Sequence, residues 1–238
     1  MASHPAGTVL PALDLSSWTF NLGGMGRLSL GPTTVRSFST ALDLLNWIAS
    51  NGDLKSAVQG QVQDRIRLDP HWKSWRKQRT LFRNAPHFQS YRGAAYDHFH
   101  AAARCVVTGA GAPPTASQLG MYNGLMTEIA SSAVVLPAGQ LLFHGRADRD
   151  LDRLPKYPAF LSTSVDPVVA SNHAHKRAFN SPRRPLVYQL TLQTSRPAFF
   201  GQAGRLREYE LLLPAGLSVT AKAFHRAADF DIIEAEIL

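Results

Sequence analysis

Cysteine is nearly absent, with Cys105 the one example in 238 residues. A single thiol closes no internal disulfide, so a stapled extracellular framework is excluded. Its Ala-rich surroundings suit a small core residue better than a nucleophile. Acids are also scarce: 17 Asp and Glu stand against 25 Lys and Arg, a net +8, with only 18% of residues charged. That balance suits anionic partners or a solvated basic surface. No apolar run approaches the roughly 18 residues of a membrane helix, so no membrane span is expected. No Lys or Arg precedes Arg27, so no ordinary secretory signal is expected at this start.

The hydrophobic share, 45%, is that of a globular chain and excludes global disorder and collagen. Residues 1–33 are rich in Gly, Ser, Pro and Thr and read as a flexible leader, with an aromatic anchor at Trp18 and Phe20. Residues 34–85 read as helical. Phe38, Ala41, Leu42, Leu45, Ile48 and Ala49 recur at helical spacing. Asp53 is placed to cap a second helix whose stripe is Leu54, Val58, Val62 and Ile66. Seven bases between Arg65 and Arg83 interleave with Trp72 and Trp75. Such interleaving binds single strands of nucleic acid in some proteins, but the spacing favours a helix with one packed face. Helices over 94–107 and 117–131 follow.

Beyond residue 137 the pattern changes to strands. Residues 140–146 form a short apolar run. Over 186–193 the alternation of Leu186, Tyr188, Leu190 and Leu192 predicts one buried face. Further strands fit 209–213, 217–224 and 230–238. Helices first and strands after define an α+β fold.

Three segments carry chemistry. Leu142-Phe143-His144-Gly145-Arg146 is the first. Phe160-Leu161-Ser162-Thr163-Ser164 is the second; Asp166 then serves as N-cap and Pro167 as N1 of a helix. The third is Glu208-Tyr209-Glu210, running into Leu211-Leu212-Leu213-Pro214. Residues two apart on a strand share a face, about 6.6 Å apart. Two carboxylates at the mouth of a buried strand suit an oxocarbenium-like transition state at a sugar carbon. An exposed edge strand with both acids in water is the plain alternative.

In this order the three segments resemble the mono-ADP-ribosyltransferase superfamily, in its toxin-like class with Ser-Thr-Ser and Glu-x-Glu motifs. Phe160–Ser164 is similar to the F-L-S-T-S form, Gly204–Gly216 to the Glu-x-Glu strand and its turn, and Tyr91–Tyr96 to an upstream helical element. The likeness covers residues 85–238. The first motif departs from it, because His144 stands where Arg is usual and Arg146 lies two places on. An aromatic-His-Gly segment resembles the poly(ADP-ribose) polymerase class. The mixture resembles a bacterial effector family that modifies a threonine of host ubiquitin.

The resemblance implies a split β-sheet core, with residues 86–238 catalytic. Residues 34–85 lie outside the likeness; their basic charge and Trp residues suit a target-recognition element, with a cap that covers the sheet as the plain alternative. It implies NAD as substrate, no metal, and a host protein acceptor, with ubiquitin the candidate. It also implies an effector secreted to act in the host cytoplasm. Glu210 would stabilise the ribosyl cation, Glu208 would serve the acceptor, and Ser162 would bind Glu210 or the ribose. His144, Gly145, Arg146, Thr163 and Ser164 would bind the dinucleotide. Phe199 and Phe200, in the loop before the Glu-x-Glu strand, would form a recognition tip or nicotinamide cover unless they tuck into the core. Two other readings stand beside it: an NAD glycohydrolase, and a non-enzymatic basic module that binds nucleic acid.

Overall fold

Thr40 explains where the first helix starts: its hydroxyl accepts from the Asp43 backbone N–H at 3.1 Å, closing one of the orphan donors of a helix end. The protein is described here by a computed structural model, which covers residues 8–9, 12–13, 19–21, 35–69, 84–131, 134–179, 181–201 and 210–238. Three short strands come first: β1 (Thr8–Val9), β2 (Thr19–Asn21) and β3 (Val35–Ser37). Helices α1 (Ala41–Ser50) and α2 (Lys55–Leu68) follow, then α3 (Pro86–Tyr91), α4 (Tyr96–Thr108) and α5 (Ala116–Ala130). The strand-rich part holds β4 (Val134–Leu136), β5 (Leu141–Arg146), the single turn α6 (Asp150–Arg153), β6 (Leu161–Ser164) and α7 (Pro167–Ala178). It ends with β7 (Leu186–Leu192), β8 (Arg196–Pro197), β9 (Phe199–Gly201), β10 (Glu210–Leu213), β11 (Val219–Arg226) and β12 (Asp231–Ile237).

The main sheet runs β11-β12-β7-β5-β6-β10-β9. β7 and β12 are parallel, and the other described pairings in this sheet are antiparallel. β5 lies against β7 along its whole length, yet meets β6 in register only where Phe143 faces Ser164. The sheet therefore opens between β5 and β6. This is the α+β architecture expected from the sequence.

Two apolar clusters hold the fold. One joins the sheet to the N-terminal helices: Leu44, Leu45, Ile48, Val58, Val62 and Ile66 are fully buried with Leu142, Leu190 and Ile233. Helices α1 and α2 thus share their core with the sheet. The other cluster joins α3, α4 and α5 through Phe88, Phe99 and Leu125 to Phe160 and Leu212. At Gly145 the backbone of α7 comes so close that an added Cβ would lie 1.9 Å from the Ala170 carbonyl oxygen. Glycine is required there by close approach, and this contact seats α7 on β5.

Several expectations change. Within the expected leader, β1 pairs with β4 and β2 with β3, and Phe20 is buried edge-on to Phe38. Trp18 lies outside the described residues, as do Trp72, Trp75 and the bases from Lys73 to Arg83. Leu54 takes the N-cap position of α2, which the chain enters through a 3-10 turn, Gly52–Leu54; the Asp53 side chain lies outside what the structure describes. β7 is buried on both faces, Val187 and Gln189 included. α7 packs over it, and the Tyr188 hydroxyl donates to Asp152 of α6 at 2.5 Å, so alternation of polarity is lost as in other doubly covered strands.

Candidate active site

β6 delivers three hydroxyls, and the structure separates their tasks. Ser162 Oγ donates to Glu210 Oε1 at 2.6 Å, the short length typical of a hydroxyl on a carboxylate. Thr163 Oγ1 donates to the Leu211 carbonyl across the ladder at 2.8 Å. Ser164 Oγ accepts from the Asp166 N–H at 3.0 Å. Asp166 in turn accepts from Val168 N–H at 2.9 Å and caps α7, with Pro167 behind it. Thr163 and Ser164, expected to touch the dinucleotide, are buried, and the hydroxyl contacts above are with backbone groups that brace the strand end. Burial pushes the Asp166 carboxyl up to about 7, against the pull of the Val168 and Val169 N–H groups.

Glu210 opens β10 and is nearly buried. Its second oxygen, Oε2, lies 3.2 Å from Arg92 Nε. Arg92 stands in the turn between α3 and α4. The sequence singles out its segment, Tyr91–Tyr96, as similar to an upstream helical element, but does not mark Arg92 as a site residue, because its partner is 118 residues away. Glu208 lies outside the described residues.

His144 sits on β5 opposite Tyr188. Its Nδ1 lies 2.6 Å from the Ser162 carbonyl oxygen, and its Nε2 is buried with no hydrogen-bond partner. Burial, with help from the Arg146 charge, pushes the imidazole down to about 3. The ring is therefore neutral. A carbonyl can only accept, so the proton is on Nδ1 and Nε2 is a bare acceptor. An acceptor at this depth needs a donor, from an ordered water or from a bound molecule.

Arg146 is held by its neighbours. Its Nε lies 2.7 Å from Asp148 Oδ1, its Nη2 donates to Oδ2 at 3.0 Å, and its Nη1 donates to the Tyr157 hydroxyl. Beside it is a pocket of about 280 Å³, lined in part by Arg149, Arg153, Arg183 and Arg184 with Asp148 and Asp231. Arg184 is tied to Asp231 and Arg149 to Asp152. Arg153 and Arg183 are exposed. The lining is thus net basic.

Tyr91, Tyr96 and His100 form an aromatic wall on the helical side. Tyr96 and His100 rings lie 4.2 Å apart, and the Tyr91 hydroxyl is 3.4 Å from His100 Nε2. Burial brings the His100 imidazole down to about 4. Phe199 is no surface tip: it stacks on Phe88 at 4.2 Å within the second cluster. Phe200 is half-buried against the main core. Both side with the core alternative, because β9 pairs with β10 and carries them inward. Among the described residues no group of His, Cys, Asp or Glu is placed to hold a metal ion. Among them, too, no helix is long and apolar enough to cross a membrane.

No family model matches the chain, and no curated protein does. Solved structures do resemble it. The Vis toxin, an ADP-ribosyltransferase from Vibrio splendidus, is 17% identical with a TM-score of 0.45, over 82% of this chain and 85% of that one. The ADP-ribosylating toxin BECa of C. perfringens, solved with NADH, is 16% identical with a TM-score of 0.47, over 76% of this chain and 48% of that one. Exoenzyme S from Pseudomonas aeruginosa, bound to Carba-NAD and human 14-3-3 protein beta, is 16% identical with a TM-score of 0.44, over 63% of this chain and 70% of that one.

Proposed function

We propose that this protein is an NAD-dependent mono-ADP-ribosyltransferase, acting as a secreted effector on a protein of a host cell. The observation that carries the reading is one residue with two contacts: Ser162 gives its hydroxyl to Glu210 and its carbonyl to His144. A carboxylate and a neutral imidazole are thereby tied to one residue of β6, and this supports a ribose bound at that carboxylate.

The chemistry follows from the leaving group. In NAD the nicotinamide is already cationic, so the bond from C1′ to its ring nitrogen breaks with the electron pair leaving on nicotinamide and no general acid is needed. Positive charge then develops on the ribose C1′ and O4′. Glu210 places negative charge where that cation forms, which is stabilisation specific to the transition state. His144 Nε2 accepts from a ribose hydroxyl, satisfying its orphan lone pair. The basic pocket beside Arg146, with exposed Arg153 and Arg183, lies ready for the diphosphate. The acceptor oxygen or nitrogen attacks C1′, and Glu208 takes its proton.

For the acceptor we propose a threonine hydroxyl of ubiquitin, with an arginine next, on the strength of the His-type first motif. The 34–85 region is proposed to dock the target through its basic charge. Labelled NAD incubated with the protein, ubiquitin and a host-cell lysate tests these points together. Protein-bound label is expected. Nicotinamide release with no bound label makes the enzyme a glycohydrolase, and NAD left intact overturns the reading.

A further inference from the structure

Glu210 is a nearly buried carboxylate, and the group beside its second oxygen comes from a helical turn 118 residues earlier in the chain. Arg92 Nε is 3.2 Å from Glu210 Oε2, while Ser162 occupies Oε1 at 2.6 Å. A buried carboxylate is costly unless it is paired and hydrogen-bonded. Its two oxygens offer about four lone-pair directions, so one donor on each oxygen restrains the group and leaves acceptor capacity for a hydroxyl from a ligand. Arg92 is itself fixed. It follows Tyr91, which is buried and packs edge-on against both Phe99 and Phe160. One turn earlier Phe88 stacks on Phe199 of β9, the strand that pairs with Glu210 through Gly201. The α3 end is thus anchored to the edge strand and to the carboxylate at once.

We propose that Arg92 is a positioning residue, which orients Glu210 for the ribosyl cation from α3 and acts on turnover only through that carboxylate; this role rests on the NAD chemistry proposed above. Arg92→Gln should then lower kcat for nicotinamide release tenfold or more with KM for NAD little changed, because the ribose and phosphate contacts are untouched. Arg92→Lys restores part of the loss, since a cation returns without the planar fork.

The decisive comparison repeats Arg92→Gln in a Glu210→Gln background, following residual nicotinamide release and the thermal midpoint of each purified full-length variant. If Arg92 acts through Glu210, the second substitution costs no further turnover, and it lowers the midpoint less than it does in the native background. An equal fractional loss of turnover in both backgrounds overturns the proposal, as does unchanged kcat in the single variant. Where the native protein itself releases no nicotinamide, the proposed function fails first, and the midpoint comparison still reports whether the pair is coupled.

Discussion

Ser162 and Glu210 meet diagonally across two strands: in the β6–β10 ladder Ser162 faces Leu212 and Glu210 faces Ser164, yet the Ser162 hydroxyl reaches the carboxylate at 2.6 Å. The diagonal sets the carboxylate's direction along the strand as well as its height above the sheet. Removing one hydrogen bond to a charged group costs about 1.5–3 kcal/mol. Ser162→Ala should therefore lower kcat for NAD cleavage by about tenfold to a hundredfold, with the thermal midpoint shifted by only a few degrees. Steady-state nicotinamide release and a melting curve check both.

His144 and Arg146 sit two apart on β5 but should differ in what they do. His144→Ala deletes the orphan acceptor and should weaken NAD binding about tenfold or more in calorimetric titration. That binding should not change with His144 titration between pH 5 and 8, because the ring, held down at about 3, stays neutral throughout. Arg146→Ala frees Asp148 and Tyr157 from a partner and should cost stability as well as affinity. The reverse ranking in NAD affinity would restore Arg146 as the first-motif residue.

Some features around the candidate site were legible in the sequence because they are local: Asp166 before Pro167 caps its helix, and Gly145 follows His144 on one strand. The contacts of Ser162 with Glu210 and of His144 with Ser162 span 48 and 18 residues and depend on strand pairing. The ion pair of Arg92 was not legible, because it depends on how a helical turn docks on a strand 118 residues later. The same holds for β7, whose polar Gln189 is buried by α7 packing that no alternation pattern shows. Phe199 resembles a surface aromatic only while its partner Phe88 is out of view.

Two perturbed groups give opposite pH signatures. For His144, ordinarily at 6.5 and here about 3, the unfolded chain binds more protons between those values. Its contribution to stability is lost as pH falls through that window. For Asp166, ordinarily at 3.8 and here about 7, the folded chain binds more protons, so stability is lost as pH rises from about 4 to 7. Asp166→Asn keeps a good N-cap and removes the second slope. Relative to the native chain it should be more stable at pH 8 than at pH 4. The difference should be a few kcal/mol, since each tenfold change in proton affinity is worth about 1.4 kcal/mol. Denaturant unfolding at the two pH values measures it.

Packing makes a prediction that separates core from surface. Phe199→Ala should destabilise by about 3–5 kcal/mol, the range for a buried aromatic. Gly145→Ala should be worse tolerated than any surface change, because backbone of α7 occupies the space its Cβ needs. A Phe199→Ala variant with native stability would return that ring to the surface.

Glu210 is the centre of the proposed chemistry, and one substitution reaches it most directly. Glu210→Gln keeps the shape and the Ser162 contact while removing the charge that faces the developing cation. Nicotinamide release from labelled NAD, followed with and without a protein acceptor, should fall about a hundredfold or more in both conditions. Release at near-native rates in either condition would contradict the assignment of this carboxylate and the chemistry built on it.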